Sequence, residues 1–340
     1  MSGCWKYFIF NSIRYVCQLC GINIERFFNC EEIYCVGGWW SEQESMSDIS
    51  QKKHLFCFGL GFTGSALVRE AQTKGWMVSG TYRERAHKDV WSGKGVQSYC
   101  FDGNEVSEEI GNAVREASHV LITIPPQKDT GDVVFKHFKE ILVGSSQLRW
   151  LGYLSTTGVY GNRDGDWVDE TSELKPGFDH QRRRVEAEEQ WRNLYREHQV
   201  PVHIFRLAGI YGPGRNLLQR VRSGSARRID QPGLVFNRVH VEDVVQVLCA
   251  SIDRPHPGAI YNVSDDLPSS PAEAVAFACD LLSVGVPPLV ALEEAGLSKM
   301  GRGFYQTNKK VRNQKIKKEL GVQLRYPDYK VGLRALLATE

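Results

Sequence analysis

Short apolar runs recur along the first two-thirds of this chain, and segments with helical spacing separate them. Residues 54–58, 76–81, 96–101, 119–124, 150–154 and 202–205 read as strands. Residues 65–71, 105–117, 133–142 and 180–198 read as helices. Runs such as Val120-Leu121-Ile122 are continuously apolar and do not alternate, which suits parallel strands buried on both faces. Strand and helix in turn, at this spacing, predict an α/β fold with a doubly wound parallel sheet over residues 54–206. After Arg206 the pattern is less regular and richer in Gly, Pro and Arg. Residues 207–340 are expected to form a smaller lobe over the carboxyl ends of the strands, with a partial return to the core. No internal repeat or low-complexity linker interrupts the chain.

The first of these strands ends in Gly59-Leu60-Gly61-Phe62-Thr63-Gly64, and a helix follows. A strand that stops at such a turn and opens a helix aims backbone N–H groups at one point, where a phosphate can sit. The order G-x-G-x-x-G has a role for each glycine: the tight turn, close approach to a pyrophosphate, and helix–strand packing. Gly59, Gly61, Phe62, Thr63 and Gly64 are therefore the candidate dinucleotide loop. Asp102, Ile124 and Pro125, at later strand ends, are candidates to line the same cofactor.

The end of the second strand bears on which dinucleotide is bound. An acid there bonds the ribose 2′-hydroxyl of NAD, whereas arginine accommodates the 2′-phosphate of NADP. This chain has Arg83-Glu84-Arg85. Arg83 and Arg85 suit a phosphate, and NADP is the expectation. NAD remains the alternative, since a small change in register would bring Glu84 to the ribose.

Composition sets limits on partners. The formal net charge is +2 over 340 residues, which gives no general attraction to nucleic acid or membrane. No apolar run reaches the ~20 residues that span a bilayer. Five of the nine cysteines fall in the first 35 residues. Cys17-x-x-Cys20 lacks a second pair at zinc spacing, so no metal is expected. The remaining cysteines read as small buried residues in a reducing, cytoplasmic setting. Residues 1–53 differ from the rest and read as an N-terminal extension, poorly ordered or not native. Residues 1–45 could be a transit peptide to an organelle, which Glu25, Glu31 and Glu32 fit poorly. Alternatively, translation starts at Met46.

From the fifth strand onward the chain resembles the extended short-chain dehydrogenase/reductase family, the nucleotide-sugar epimerases and dehydratases. The residues that carry the resemblance begin with Leu154-Ser155-Thr156-Thr157-Gly158-Val159-Tyr160-Gly161, then Asp169-Glu170 and Pro176. They continue through Phe205-Arg206-Leu207-Ala208-Gly209-Ile210-Tyr211-Gly212-Pro213-Gly214, Val239-His240-Val241-Glu242-Asp243-Val244 and Tyr261-Asn262-Val263-Ser264-Asp265. The resemblance implies a Rossmann fold and a nicotinamide cofactor. It also implies a Ser or Thr followed by a Tyr-x-x-x-Lys pair, which moves a proton while hydride moves to or from the nicotinamide. Thr156 stands at the Ser/Thr position. His180 and Arg184 stand where the Tyr and Lys belong, as in an atypical branch. The other tyrosines of residues 150–200, Tyr153, Tyr160 and Tyr195, have no Lys four residues on. The departure leaves two readings. His180 replaces the Tyr as acid/base, with Arg184 a fixed charge near the nicotinamide ribose, or the site binds cofactor without the family's reaction.

From Arg206 to Arg238, both included, there are seven Arg, no Lys and one acid, Asp230. Guanidinium groups suit phosphate and carboxylate, so a small anionic substrate such as a nucleoside diphosphate sugar is expected. Arg206, Tyr211, Arg215, Arg238 and His240 are the candidate substrate residues. Tyr305 and Lys309 share the Tyr-x-x-x-Lys spacing but lie outside the sheet. The basic run at residues 309–318 lacks the exposed aromatics of a nucleic-acid site. The oligomeric state is not legible.

Overall fold

The computed structural model describes residues 53–84, 90–91 and 93–339, and the backbone alone of residues 299–300 and of three short N-terminal strands. The chain divides into two units, residues 1–51 and 52–340. In the first, Tyr7–Ile9, Ser12–Val16 and Asn23–Ile24 pair antiparallel. The expectations for the side chains of the N-terminal extension, for Cys17 and Cys20, for a start at Met46 and for Arg85 lie outside the described residues.

The second unit is built on seven strands: β1 (His54–Phe58), β2 (Met77–Tyr82), β3 (Gln97–Cys100), β4 (His119–Ile122), β5 (Trp150–Thr156), β6 (Val202–Leu207) and β7 (Ile260–Val263). All pair in parallel, in the order β7-β6-β5-β4-β1-β2-β3. The chain runs outward from β1 to β3, then returns to the other side of β1 at β4. Ligands bind at such reversals, outside the carboxyl ends of the strands.

The helices that cover the sheet explain why the strands read as unbroken apolar runs. Leu55 and Cys57 of β1 face a core shared with Leu67 and Val68 of α1 (Phe62–Thr73) and Val247 and Leu248 of α5 (Val241–Asp253). Phe56 and Phe58 point the other way, into a core with α2 (Glu108–Glu116), α3 (Val133–Val143) and α4 (Asp179–His198). There Phe58 meets Phe138 at 4.7 Å between ring centroids. Alternate residues thus enter two different cores.

The six strands and four helices expected over residues 54–205 are present. The seventh strand, β7, follows from no apolar run. It returns the C-terminal part of the chain to the sheet edge beside β6, while α5 packs on α1. A smaller cluster beyond it joins Leu218, in the short helix Leu217–Arg222, to Ala274 and Ala278 of α6 (Pro271–Leu281) and to Leu333 of α7 (Tyr329–Ala338).

Candidate active site

The glycine turn is tied down by hydroxyl groups. The Gly59 N–H donates to Thr81 Oγ1 at 3.0 Å, and the Leu60 N–H donates to the Thr81 carbonyl at 2.8 Å. The Thr123 hydroxyl is shared between the Phe58 and Gly59 carbonyls, at 3.0 and 2.8 Å. Thr81 and Thr123 thus lock the turn from the strands on both sides of β1. Neither stood out in the sequence, because each is a plain strand residue until the order of strands is known.

Each glycine has its own constraint. Gly59 has φ +96°, in the region that favours glycine. A Cβ on Gly64 would lie 2.2 Å from the Gly59 carbonyl oxygen, so only glycine lets α1 approach β1. A Cβ on Gly61 would meet nothing within 4 Å. Gly61 is the N-cap of α1, yet no side chain caps that helix and no acid occupies its first turn. The first N–H groups of α1 thus face open space at the β1/β4 reversal, an arrangement suited to a pyrophosphate.

Arg83 and Asp102 come close to one another at the carboxyl ends of β2 and β3, and both are exposed. Two hydrogen bonds from Asn104 hold the Asp102 carboxyl below the usual range, and the Arg83 charge adds to this. Ile124 is half-buried and Pro125 exposed just beyond β4.

At the end of β5, Thr156 Oγ1 accepts from the Gly158 N–H at 3.1 Å, which leaves its own proton free to donate. The helical turn Thr157–Tyr160 that follows packs against the start of α4. His180 is exposed in the first turn of that helix, with its ring stacked on Phe178 at 5.7 Å. Partial burial lowers its pKa, Arg183 and Arg184 push the same way, and Asp179 opposes them. Arg184 Nη1 donates to the Leu154 carbonyl at 2.8 Å and to the Tyr153 hydroxyl at 3.0 Å. It fastens α4 to the end of β5. Burial pushes the Tyr160 phenol up to about 12 and the Tyr153 phenol higher still. Neither tyrosine is poised to give up a proton.

The structure corrects three of the expected substrate residues. Arg206 is 2% exposed, and its guanidinium faces Glu188 Oε2 at 2.6 Å and the Tyr160 hydroxyl at 2.9 Å. It is a core residue, not a ligand for substrate. Tyr211 is buried with its hydroxyl against Gly332, where a Cβ would stand only 2.0 Å away. His240 is 1% exposed and caps α5, its Nδ1 accepting from the Glu242 N–H at 3.2 Å. Burial lowers its pKa to about 4.

The other two remain within reach of a ligand. Arg215 is exposed and lies over the Phe62 ring at 5.5 Å, so the chain that follows β6 meets the glycine turn. Arg238 is half-buried and donates to Ser269 Oγ at 2.6 Å. It lies near Tyr305, whose ring packs on Phe236 at 5.1 Å. Gly303, two residues before Tyr305, sits against Phe178, which carries the His180 ring. The segment through Tyr305 thus spans from the His180 corner to Arg238.

A family model and several known proteins match this chain. The model of the NAD-dependent epimerase/dehydratase family matches residues 59–264. Protein YeeZ of Escherichia coli (strain K12) is 28% identical over 286 residues, 81% of this chain and 97% of that protein. The structure of a functionally unknown conserved protein from Silicibacter pomeroyi DSS is 44% identical, with a TM-score of 0.77, and covers 84% of this chain and 99% of that one. MoeE5 in complex with UDP-glucuronic acid and NAD shares the fold at 18% identity and a TM-score of 0.70, over 84% of this chain and 98% of that one.

Proposed function

The chain belongs to the NAD-dependent epimerase/dehydratase family, and from that premise we propose that it is an NADP-preferring epimerase, dehydratase or reductase acting on an anionic, nucleotide-linked substrate. The observation that carries this reading is the uncapped start of α1 at Gly61, open to solvent at the β1/β4 reversal. The residues there fit a pyrophosphate: backbone N–H groups, no acid in the first turn, and a glycine whose missing side chain leaves room. Gly59, Gly61, Phe62, Thr63 and Gly64 would hold the pyrophosphate, Arg83 the 2′-phosphate, and Asp102, Ile124 and Pro125 the adenosine half.

A bound nicotinamide dinucleotide supplies hydride exchange with a substrate carbon. The protein's own part is to bind the substrate and move the proton. In this reading Thr156 donates a hydrogen bond to the reacting oxygen and keeps its proton, which its bond from the Gly158 N–H leaves it free to do. His180 takes the substrate's O–H proton, and its lowered pKa keeps it neutral for that task. Arg184 holds the start of α4 on β5, and its charge works against a proton remaining on His180. Arg215 and Arg238 face the anionic part of the substrate.

The test is turnover by purified protein with NADPH or NADP and a panel of sugar nucleotides and carbonyl compounds. Reduction or oxidation of any of them that depends on Thr156 and His180 supports the enzyme. Tight dinucleotide binding with no turnover of any compound would favour a cofactor-binding sensor or scaffold on this fold.

A further inference from the structure

Lys309 stands apart from the other lysines of the described residues. It is 6% exposed, and among the described residues no carboxylate pairs with it and its ammonium forms no hydrogen bond. Burial lowers its pKa from an ordinary 10.5 to about 8, and the like charge of Arg163 adds to the effect. At neutral pH it is therefore mostly charged, on a side chain that is largely buried. Such a charge is costly unless something neutralises it.

Hydrogen bonds to the main chain of residues 308–311 show which segments hold Lys309. The Arg163 and Gly165 N–H groups, in the loop that leaves β5, donate to the Asn308 carbonyl at 2.8 and 3.3 Å. Asn237 Nδ2 donates to the Lys309 carbonyl at 2.8 Å, and Asn237 Oδ1 accepts from the Val311 N–H at 2.8 Å. Lys309 is thus fixed between the loop after Thr156 and the segment that ends in Arg238. Charged and titratable groups on and beside those segments include Tyr160, Arg163, Asp164, Asp166, Arg238, Tyr305 and Lys310. Of these, Arg163 alone acts on Lys309, and it repels.

We propose that Lys309 is a substrate-binding residue whose ammonium pairs with an oxyanion of the substrate, between the loop after β5 and the Arg238 segment. The inference rests on the reading that this end of the sheet takes an anionic substrate, and it names the group that receives the anion. A dinucleotide phosphate does not account for it, because the segments that hold Lys309 are not those of the glycine turn. When the anion binds, Lys309 is stabilised in its charged form. Binding near pH 8–9 therefore takes up a proton, and affinity falls as pH rises through about 8.

The experiment is calorimetry on the full chain with inorganic pyrophosphate and with glucuronate, in buffers of different ionisation enthalpy. Lys309→Met should weaken one or both anions by about tenfold or more and abolish the proton uptake. Lys309→Arg should retain most of the binding. Pyrophosphate alone affected identifies a phosphate subsite, and glucuronate alone a carboxylate subsite. NAD and NADP affinities should not change. Lys309→Met should also melt higher than wild type at neutral pH, with the gain falling as pH rises from about 8 through 10.5 and gone above it, where the wild-type lysine is neutral in both states. Unchanged anion binding in Lys309→Met, loss of dinucleotide affinity in its place, or a variant that does not fold would each overturn the assignment. Failure to turn over any sugar nucleotide would count against the proposed enzyme and leave the anion measurement standing.

Discussion

Arg206 and Glu188 form an ion pair inside the sheet core, Nη2 to Oε2 at 2.6 Å, with the two side chains 3% and 2% exposed. The pair is the centre of a satisfied network. Ser155 donates to Glu188 Oε1 at 2.5 Å, Arg206 to the Tyr160 hydroxyl, and that hydroxyl to Asn262 Oδ1 at 2.7 Å. It joins β5, β6, β7 and α4, and so sets where α4 presents His180. Removing one partner leaves the other charge buried and unpaired. Glu188→Gln or Arg206→Met should each destabilise the fold by ~3–5 kcal/mol, and the double variant by less than the sum. Urea unfolding of the three variants measures this. Additive losses would show that the pair is not coupled.

The glycines of the turn separate folding from binding. Gly61→Asp adds a negative charge where the backbone would meet phosphate, in space that no protein atom fills. It should leave the melting temperature near wild type and abolish dinucleotide binding. Gly64→Ala forces a Cβ against the Gly59 carbonyl and should destabilise the fold itself. Calorimetry and melting curves on both variants test this. Unchanged affinity in a folded Gly61→Asp protein would remove the pyrophosphate from α1.

Arg83 is exposed at the end of β2. If it contacts a 2′-phosphate, Arg83→Ala should weaken NADP by ~1.5–3 kcal/mol, about tenfold or more, and spare NAD. Competitive titration of the two dinucleotides gives the comparison. Equal weakening of both, or a wild-type preference for NAD, would assign the ribose to another group.

The sheet was legible in the sequence because its strands are apolar on both faces. What escaped was polar and long-range. β7 carries Asn262, buried and bonded to Tyr160 and to the Arg312 carbonyl at 3.2 Å, and this polar residue hid the strand. Arg206 read as a ligand for substrate because its partner lies 18 residues upstream on another element. Tyr211 and His240 were misplaced for the same reason: their motif is shared, but local spacing does not distinguish a capping or packing ring from one that lines a pocket. Thr81 and Thr123 meet the glycine turn only through the strand order.

His180 yields a prediction that a purely structural role would not. It is neutral by default, because burial, Arg183 and Arg184 all disfavour its proton and Asp179 only partly offsets them. If it takes the substrate's proton, activity should be present above its pKa and lost as pH falls through it, at a pH below the 6.5 of an ordinary histidine. Arg183→Gln removes one of the repelling charges while the Arg184 bonds to β5 remain. That variant should shift the acid limb of kcat/KM to higher pH, with plateau activity near wild type. His180→Ala should lower kcat by about 10²–10⁴ and leave dinucleotide affinity nearly unchanged. Rate profiles against pH for the three proteins, on one substrate, decide the matter. An acid limb that does not move in Arg183→Gln, or a His180→Ala enzyme at full rate, would take the proton transfer away from His180.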